Sequence, residues 1–291
     1  MDILLHLRQT VHRAYDTVPL YRMLYGSRPQ IRSLAEFATL PLLSRRVILR
    51  CHVDLAECLS GQALGPPGIL AALSPLDRRE SQFPFVCVEN SHDFSRRYAR
   101  VCGILGHAGI RKSSRVTIIC DSSNKYFASD LEDTLLQHSV ILLLRDGISQ
   151  ADIGREVAKH EPDAIILVTR RTFPLIAIPP SCRTVITFGA KRQLSAIRSL
   201  KVFDVYTTQA VPWIGVRGRR HAFYRTNELF RRSGGGPWPQ LYLETDRRNR
   251  LIVTTLADEF RSGLLPLVRF VTNDRVAWVS RSRFALQRDM R

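Results

Sequence analysis

The stretch "VTIICDSSNKYFASDLEDTLLQHSVILLLRDGISQADIGREVAKHEPDAIILV", Val116–Val168, holds three short apolar runs: Val116–Cys120, Val140–Leu144 and Ala164–Val168. Each shows little polar alternation, the pattern of a strand covered on both faces, as in a parallel sheet. Between the runs the period changes. Tyr126, Leu131, Leu135 and Leu136 fall on one broad helical face, and Ile153 and Val157 stand at i, i+4. Two more runs follow, Thr184–Phe188 and a weaker one at Val202–Tyr206, so that the starts lie at 116, 140, 164, 184 and 202. That spacing leaves room for a strand, a helix and two turns. Strand alternating with helix predicts an α/β fold with a doubly wound, largely parallel sheet layer.

Upstream, "SHDFSRRYARVCGILGHAGI" predicts a helix with Phe94, Tyr98, Val101 and Leu105 on one face. Ser91 is placed to cap it, and Gly106 and Gly109 to end it. The chain before about residue 60 reads as helical with one extended interruption. "GQALGPPGIL" (Gly61–Leu70), with its glycines and prolines, is a loop or a segment boundary. After about Val211 the character becomes β. "QLYLETDRRNRLIVTTL" is two apolar runs around a polar turn, hence a hairpin, and "LLPLVRFVTND" is a further run. The expected organisation is an N-terminal helical segment (1–60), an α/β layer (61–210) and a mostly antiparallel β region (211–291) packed onto that layer, all in one compact domain.

An apolar fraction of 45% with a mean hydropathy of −0.09 reads as soluble and globular. The apolar runs are too short to span a bilayer. The start, "MDILLHLRQTVHRAYDTV", meets Asp2, His6 and Arg8 before a signal-type apolar core can form. A cytoplasmic protein is expected. The net charge of +17 comes from 43 basic residues, of which five are Lys and 38 Arg. Pairs such as Arg45-Arg46, Arg96-Arg97 and Arg247-Arg248 are dispersed, whereas a nucleic-acid face gathers its basic residues. Neither nucleic acid nor a membrane is an expected partner. Six cysteines occur without a CxxC pair, which argues against a zinc ribbon, a redox centre or a disulfide framework.

No nucleophile-elbow, Cys-His or HExxH pattern is present, and the eight His residues form no metal-binding spacing. Gly234–Gly236 lacks the Lys and the following helix of a phosphate cradle. No catalytic residue and no metal site can be named. In an open α/β sheet, however, ligands sit beyond the carboxyl ends of the strands. Three exits carry polar side chains there: "TFGAK" (Thr187–Lys191), "FDVYTTQ" (Phe203–Gln209) and "RFVTND" (Arg269–Asp274). A carboxylate at such an exit can accept both hydroxyls of a ribose. The hydroxyls of Thr207 and Thr208 and the Gln209 amide can hold a phosphate or a carboxylate. On these residues alone a second reading stays open, in which Asp274 starts a turn and the Thr pair fills an edge strand.

The order of these pieces resembles the phenylacetate–CoA ligase-like branch of the adenylate-forming (AMP-binding) superfamily, over its large N-terminal domain. "AYDTVPLYRMLY" (Ala14–Tyr25) is similar to the family's opening helix, and "IRSLAEFATLPLLSRRVIL" (Ile31–Leu49) to its segment leading to Leu-Pro and a basic pair. "FGA" resembles a Gly-Gly-Glu-like turn and "DVYTTQ" a Tyr-Gly-x-Ser/Thr-Glu turn. "IVTTL…LPLVRFVTND" is similar to a Val-Thr-Thr-Leu … Pro-Leu-x-Arg-Tyr-x-Thr-Gly-Asp run. The resemblance implies ATP-dependent activation of a small carboxylic acid to an acyl-adenylate, with ATP and Mg²⁺ as cofactors. It assigns Asp274, Tyr206, Thr207, Thr208, Gln209, Gly189 and Ala190 to nucleotide binding, with Arg269 and Ser74 in support.

The sequence also departs from the family's pattern. The Ser/Thr/Gly-rich phosphate loop is "AALSPLDRRESQFPF" here, with Ser74 alone matching and Arg78 and Arg79 as substitute charge. Gln209 replaces the Mg²⁺-binding Glu, a poorer ligand for a hard cation. Asn273 replaces the Gly before Asp274, and Lys191 stands where an acid is expected. Seventeen residues follow Asp274, too few for the small C-terminal domain that carries the adenylation Lys. These departures lead to the expectation of a degenerate enzyme, or one dependent on a partner chain. The alternative is a non-catalytic pseudoenzyme or scaffold that binds an acyl-transfer enzyme or carrier protein.

Overall fold

The structure, a computed structural model, describes residues 2–44, 46–47, 70–74, 85–89, 91–120, 125–136, 140–144, 149–168, 178–188, 199–208, 211, 213–218, 222–225, 241–256 and 267–287. For 70–74, 85–89, 91–94, 125–126, 140–144 and 150 only the backbone course is described. Among the described residues six helices run in chain order: α1 (Ile3–Thr17), α2 (Pro19–Tyr25), α3 (Leu34–Thr39), α4 (Ser91–His107), α5 (Lys125–Leu136) and α6 (Gln150–His160). A small antiparallel pair, β1 (Leu70–Ser74) and β2 (Phe85–Glu89), stands apart from the main sheet. No alternation or turn signal marked this pair in the sequence. Residues 75–84, which connect it, lie outside the described ones.

The three runs of the opening stretch are β3 (Arg115–Cys120), β4 (Val140–Leu144) and β5 (Ala164–Val168), followed by β6 (Thr184–Thr187) and β7 (Lys201–Tyr206). They pair in parallel in the order β4-β3-β5-β6-β7. β5 is buried at every position because helices cover both faces. Val101, Ile104 and Leu105 of α4 and Phe127, Leu131 and Leu135 of α5 pack with Val116, Ile118 and Ile166 on one face. Val157 of α6 packs with Ile119, Ile165 and Val185 on the other. The helix ends follow local chemistry. Ser149 caps α6 through a hydrogen bond from the Asp152 N–H. Gly109, at φ 83°, closes α4, with bonds from the Gly109 N–H to Gly106 O and from the Ile110 N–H to Leu105 O. Gly106 itself lies inside the helix.

The chain then reverses. β8 (Gly215–Arg217), β9 (Phe223–Arg225), β10 (Leu241–Thr245), β11 (Arg250–Thr255), β12 (Phe270–Ser280) and β13 (Arg283–Leu286) are all antiparallel to their neighbours. Among the described residues the order is β10-β11-β12-β13-β9-β8-β7-β6-β5-β3-β4, one sheet of 11 strands. The β region therefore does not pack onto the α/β layer, as its composition had led us to expect. It extends the same sheet edge to edge, with β7 parallel to β6 on one side and antiparallel to β8 on the other.

The N-terminal helices cover this antiparallel half. Leu7, Val11 and Ala14 of α1, Leu20 and Tyr21 of α2 and Phe37 of α3 share one core with Val253, Phe270, Val276 and Phe284. The extended interruption after α3 joins in through its backbone. The Leu43 N–H donates to Arg269 O at 3.0 Å, and Leu43 O accepts from the Val271 N–H at 2.9 Å. The Tyr21 hydroxyl accepts from the Val268 N–H at 2.9 Å. Of the six cysteines, the described Cys102, Cys120 and Cys182 hold no disulfide. Burial pushes the Cys182 thiol up to about 11, as expected for a packed rather than a reactive thiol.

Candidate functional site

Tyr206 is the last residue of β7, and Asp274 lies in the middle of β12, 68 positions later in the chain. The Tyr206 hydroxyl donates to the Asp274 carboxylate at 2.8 Å. The phenol is aimed by its surroundings. Its ring packs against Phe223 and Phe284, with centroids 5.7 and 5.6 Å away, and those two rings stack on each other. Gly215 of β8 pairs with Tyr206, and a Cβ there would meet the Tyr224 carbonyl oxygen at 3.0 Å and Phe284 at 3.3 Å. A side chain there would press on these atoms, which would have to give by a few tenths of an ångström. Tyr206 is thus buried up to its hydroxyl, while Asp274 is half-exposed and flanked by the exposed Asn273 and Arg275. The result is an acid at the surface end of an aromatic wedge.

The segment after Tyr206 folds back on itself. The Thr208 hydroxyl donates to Val211 O at 3.0 Å and accepts from the Val211 N–H at 3.0 Å, and the Thr207 hydroxyl accepts from the Trp213 N–H at 3.2 Å. The hydroxyls expected to hold a phosphate or carboxylate therefore close their own turn. Trp213 ends that turn at φ 61°, fully buried between Phe127 and Phe188. Its indole N–H donates to Asp130 of α5 at 2.8 Å, and Asp130 is ion-paired with Arg97 of α4. Both charged groups are buried, so the turn is tied to two helices through a desolvated charge pair. A second brace crosses three strands under the site. Thr187 of β6 donates to Asp204 of β7 at 3.1 Å, and Asp204 accepts from Arg217 of β8 at 2.8 Å. The Arg217 guanidinium then lies 4.3 Å from the Phe223 ring centre. Asp130, Asp204 and Arg217 escaped the sequence reading. The available signal was Asp204, an acid inside an otherwise buried run.

Arg269 is placed differently from the expectation that it supports charged groups of a ligand. Its Nε donates to Glu244 of β10 at 2.8 Å, and its Nη1 donates to Ala38 O at 2.6 Å and to Leu40 O. These partners lie at β10 and the end of α3. The residue sits at φ 52°, a left-handed conformation disfavoured for a long side chain. Its N–H is held by the Thr254 hydroxyl at 3.0 Å. Burial pushes the Glu244 carboxyl above the usual carboxylate range, and the hydrogen bond and charge of Arg269 oppose that shift. Arg269 is a clamp joining the N-terminal segment to the sheet.

Gln209, Gly189 and Ala190 lie outside the described residues, and of Ser74 only the place at the end of β1 is described. Among the described residues no group of three or more His, Cys, Asp or Glu can hold a metal ion, and no helix is long and apolar enough to cross a membrane.

The sequence matches no protein-family model and no curated protein. The fold does have solved counterparts. Superposed on 2-hydroxyisobutyryl-CoA ligase in complex with 2-HIB-AMP and CoA in the thioesterification state, 98% of this chain aligns at a TM-score of 0.69 and 15% identity. The chain spans 66% of that ligase's length. An open conformation of the same ligase gives a TM-score of 0.70 at 15% identity, covering 98% of this chain and 72% of the other. A weaker likeness, TM-score 0.43 and 14% identity over 70% of this chain and 47% of the other, is to O-succinylbenzoate coenzyme A synthetase from Bacillus subtilis. On the first two superpositions, this chain has the fold of the large domain of adenylate-forming enzymes.

Proposed function

We propose that the chain is an adenylate-forming-type domain of the phenylacetate–CoA ligase-like kind, with a nucleotide site at the Tyr206–Asp274 pair and an activity that is degenerate or dependent on a partner chain. One observation carries the reading. An acid inside β12, half-exposed and not at the strand exit that the sequence suggested, is held 2.8 Å from the hydroxyl of a tyrosine locked in the core. The phenol fixes the direction of the carboxylate, and a carboxylate so held can accept from the vicinal hydroxyls of a ribose. The turn from Tyr206 to Thr208 would line the nucleotide and acyl site, held in place through Trp213, Asp130 and Arg97.

The ribose end of ATP thus fits the residues present. When bound, ATP would supply an electrophilic α-phosphate for an attacking carboxylate. The chain's own contribution would be positioning and electrostatic stabilisation. Mg²⁺ fits less well, since no described acidic cluster is built for it. The Thr208 hydroxyl, which both donates and accepts within its own turn, favours a second reading, in which the fold is kept as a non-catalytic scaffold for an acyl-transfer enzyme or carrier protein.

Carboxylate-dependent exchange of pyrophosphate into ATP tests the degenerate reading. We expect the purified chain alone to give little exchange with any small acid. Robust exchange by the chain alone would show an autonomous enzyme and overturn it.

A further inference from the structure

β12 is 11 residues long and outruns its neighbour β11. Their pairing ends at Arg250↔Arg275, where the Val276 N–H donates to Asn249 O at 2.8 Å. From Val276 to Ser280, among the described residues, β12 pairs with β13 alone. The two strands form a ribbon that outruns the β10–β11 hairpin, with one edge of β12 open among the described residues. Backbone groups alternate sides along a strand. Because the Val276 N–H faces the β11 side, the Trp278 N–H and C=O face the same open side.

Proteins usually blunt such an edge with charge, Pro or a bulge. Here register irregularities fall before the open stretch, between Val271 and Arg275, and beyond Trp278, and Trp278 is 38% and Val279 52% exposed. Beyond Asp274, which directly precedes it, the ribbon itself carries charge of one sign. Arg275–Gln287 contains three Arg and no Asp or Glu, and Arg225 of β9 lies over the Trp278 ring at 6.0 Å. Among the described residues no carboxylate stands in ion-pair contact with Arg275, Arg281 or Arg283.

A single-stranded nucleic acid would need an open aromatic face to stack on. Trp278 instead meets Phe284 edge-on and carries Arg225 over its ring, and an exposed Val279 serves no phosphate. An apolar, basic, open backbone edge fits strand addition by an acidic polypeptide. We infer that the β12 edge from Val276 to Ser280 docks an extended acidic segment of a partner protein, which adds a strand to the sheet. Its carboxylates would face Arg275 and Arg281, and its apolar side chains, on the opposite face of the added strand, would pack beside Trp278. This inference stands independently of the nucleotide site.

The test uses the full chain and fluorescently labelled synthetic peptides read by anisotropy. One peptide alternates Glu and Val, a second of the same composition carries a central Pro, and a thymidine oligonucleotide of matched charge competes. The alternating peptide should bind. Its affinity should fall about tenfold in the Arg275→Glu/Arg281→Glu double variant, in line with two exposed charges at the upper end of their usual worth. Pro removes a backbone donor, so the second peptide should bind at least about tenfold more weakly. Trp278→Phe should abolish any change in intrinsic fluorescence on binding while leaving a folded protein. No binding of the alternating peptide, equal binding of the Pro peptide, or tighter binding of the oligonucleotide with the same arginine dependence would overturn the proposal.

Discussion

Arg269 shows at the level of one residue why a charge sits inside an apolar run near the end of the chain. Its fork reaches Glu244 and two carbonyls at the end of α3, some 230 positions away in sequence. Left unpaired, those groups would be stranded in a poorly hydrated site. Replacing Arg269 with Met should therefore destabilise the fold by about 3–5 kcal/mol, the usual cost of removing one partner from a buried pair. Urea denaturation checks it, and a loss below about 1 kcal/mol would mean that Glu244 relaxes to water. None of this was legible in the sequence. An Arg before "FVTND" marks chemistry, but its partners depend on how α3 and β10 meet. Asp274 was legible as a candidate alongside the reading that it starts a turn, and the structure places it inside β12 and not at a strand exit. Its distance to Tyr206 required the sheet.

At the scale of elements, the hairpin of β10 and β11 turns on Asp246 and Asn249. The Asp246 carboxylate accepts from the Arg248 and Arg250 N–H groups at 2.9 and 2.8 Å and from Arg250 Nε at 2.7 Å, while Asn249 takes the left-handed conformation at φ 59°. Partial burial pushes the Asp246 carboxyl up, but the hydrogen bonds from Arg250 and Arg248 and the Arg250 charge outweigh it, so the group is held below its ordinary value. A depressed carboxylate stabilises the fold above its unfolded pKa of about 3.9 and loses that contribution as pH falls through the folded value. Wild type should lose more stability than Asp246→Asn between pH 5 and the acid limit of folding, as read from melting temperatures. Parallel curves for the two would remove the turn from the acid response. The hairpin was legible from "DRRNR" between two runs, and β3 to β7 from continuous apolar runs that burial on both faces demands. β1 and β2 were not, since five-residue strands of mixed character carry no period to read.

For the whole molecule, the decisive feature is that one sheet runs from the helix-covered parallel half into an antiparallel half covered by α1 to α3. Composition gave both halves but not their junction, because edge-to-edge joining and face-to-face packing place the same apolar residues inside. The junction strand β7 carries Tyr206 to the point where β12 brings Asp274, so the site depends on the two halves being continuous. The fold is that of the large domain of adenylate-forming enzymes at 15% identity, a level at which function has to be argued from the site itself. Calorimetric titration of ATP into wild type and Asp274→Ala tests that site most directly. The account predicts measurable binding to wild type and a loss of at least about tenfold in the variant, since hydrogen bonds to a charged group are worth about 1.5–3 kcal/mol. Equal affinity in the two proteins, or no binding to wild type, would contradict it.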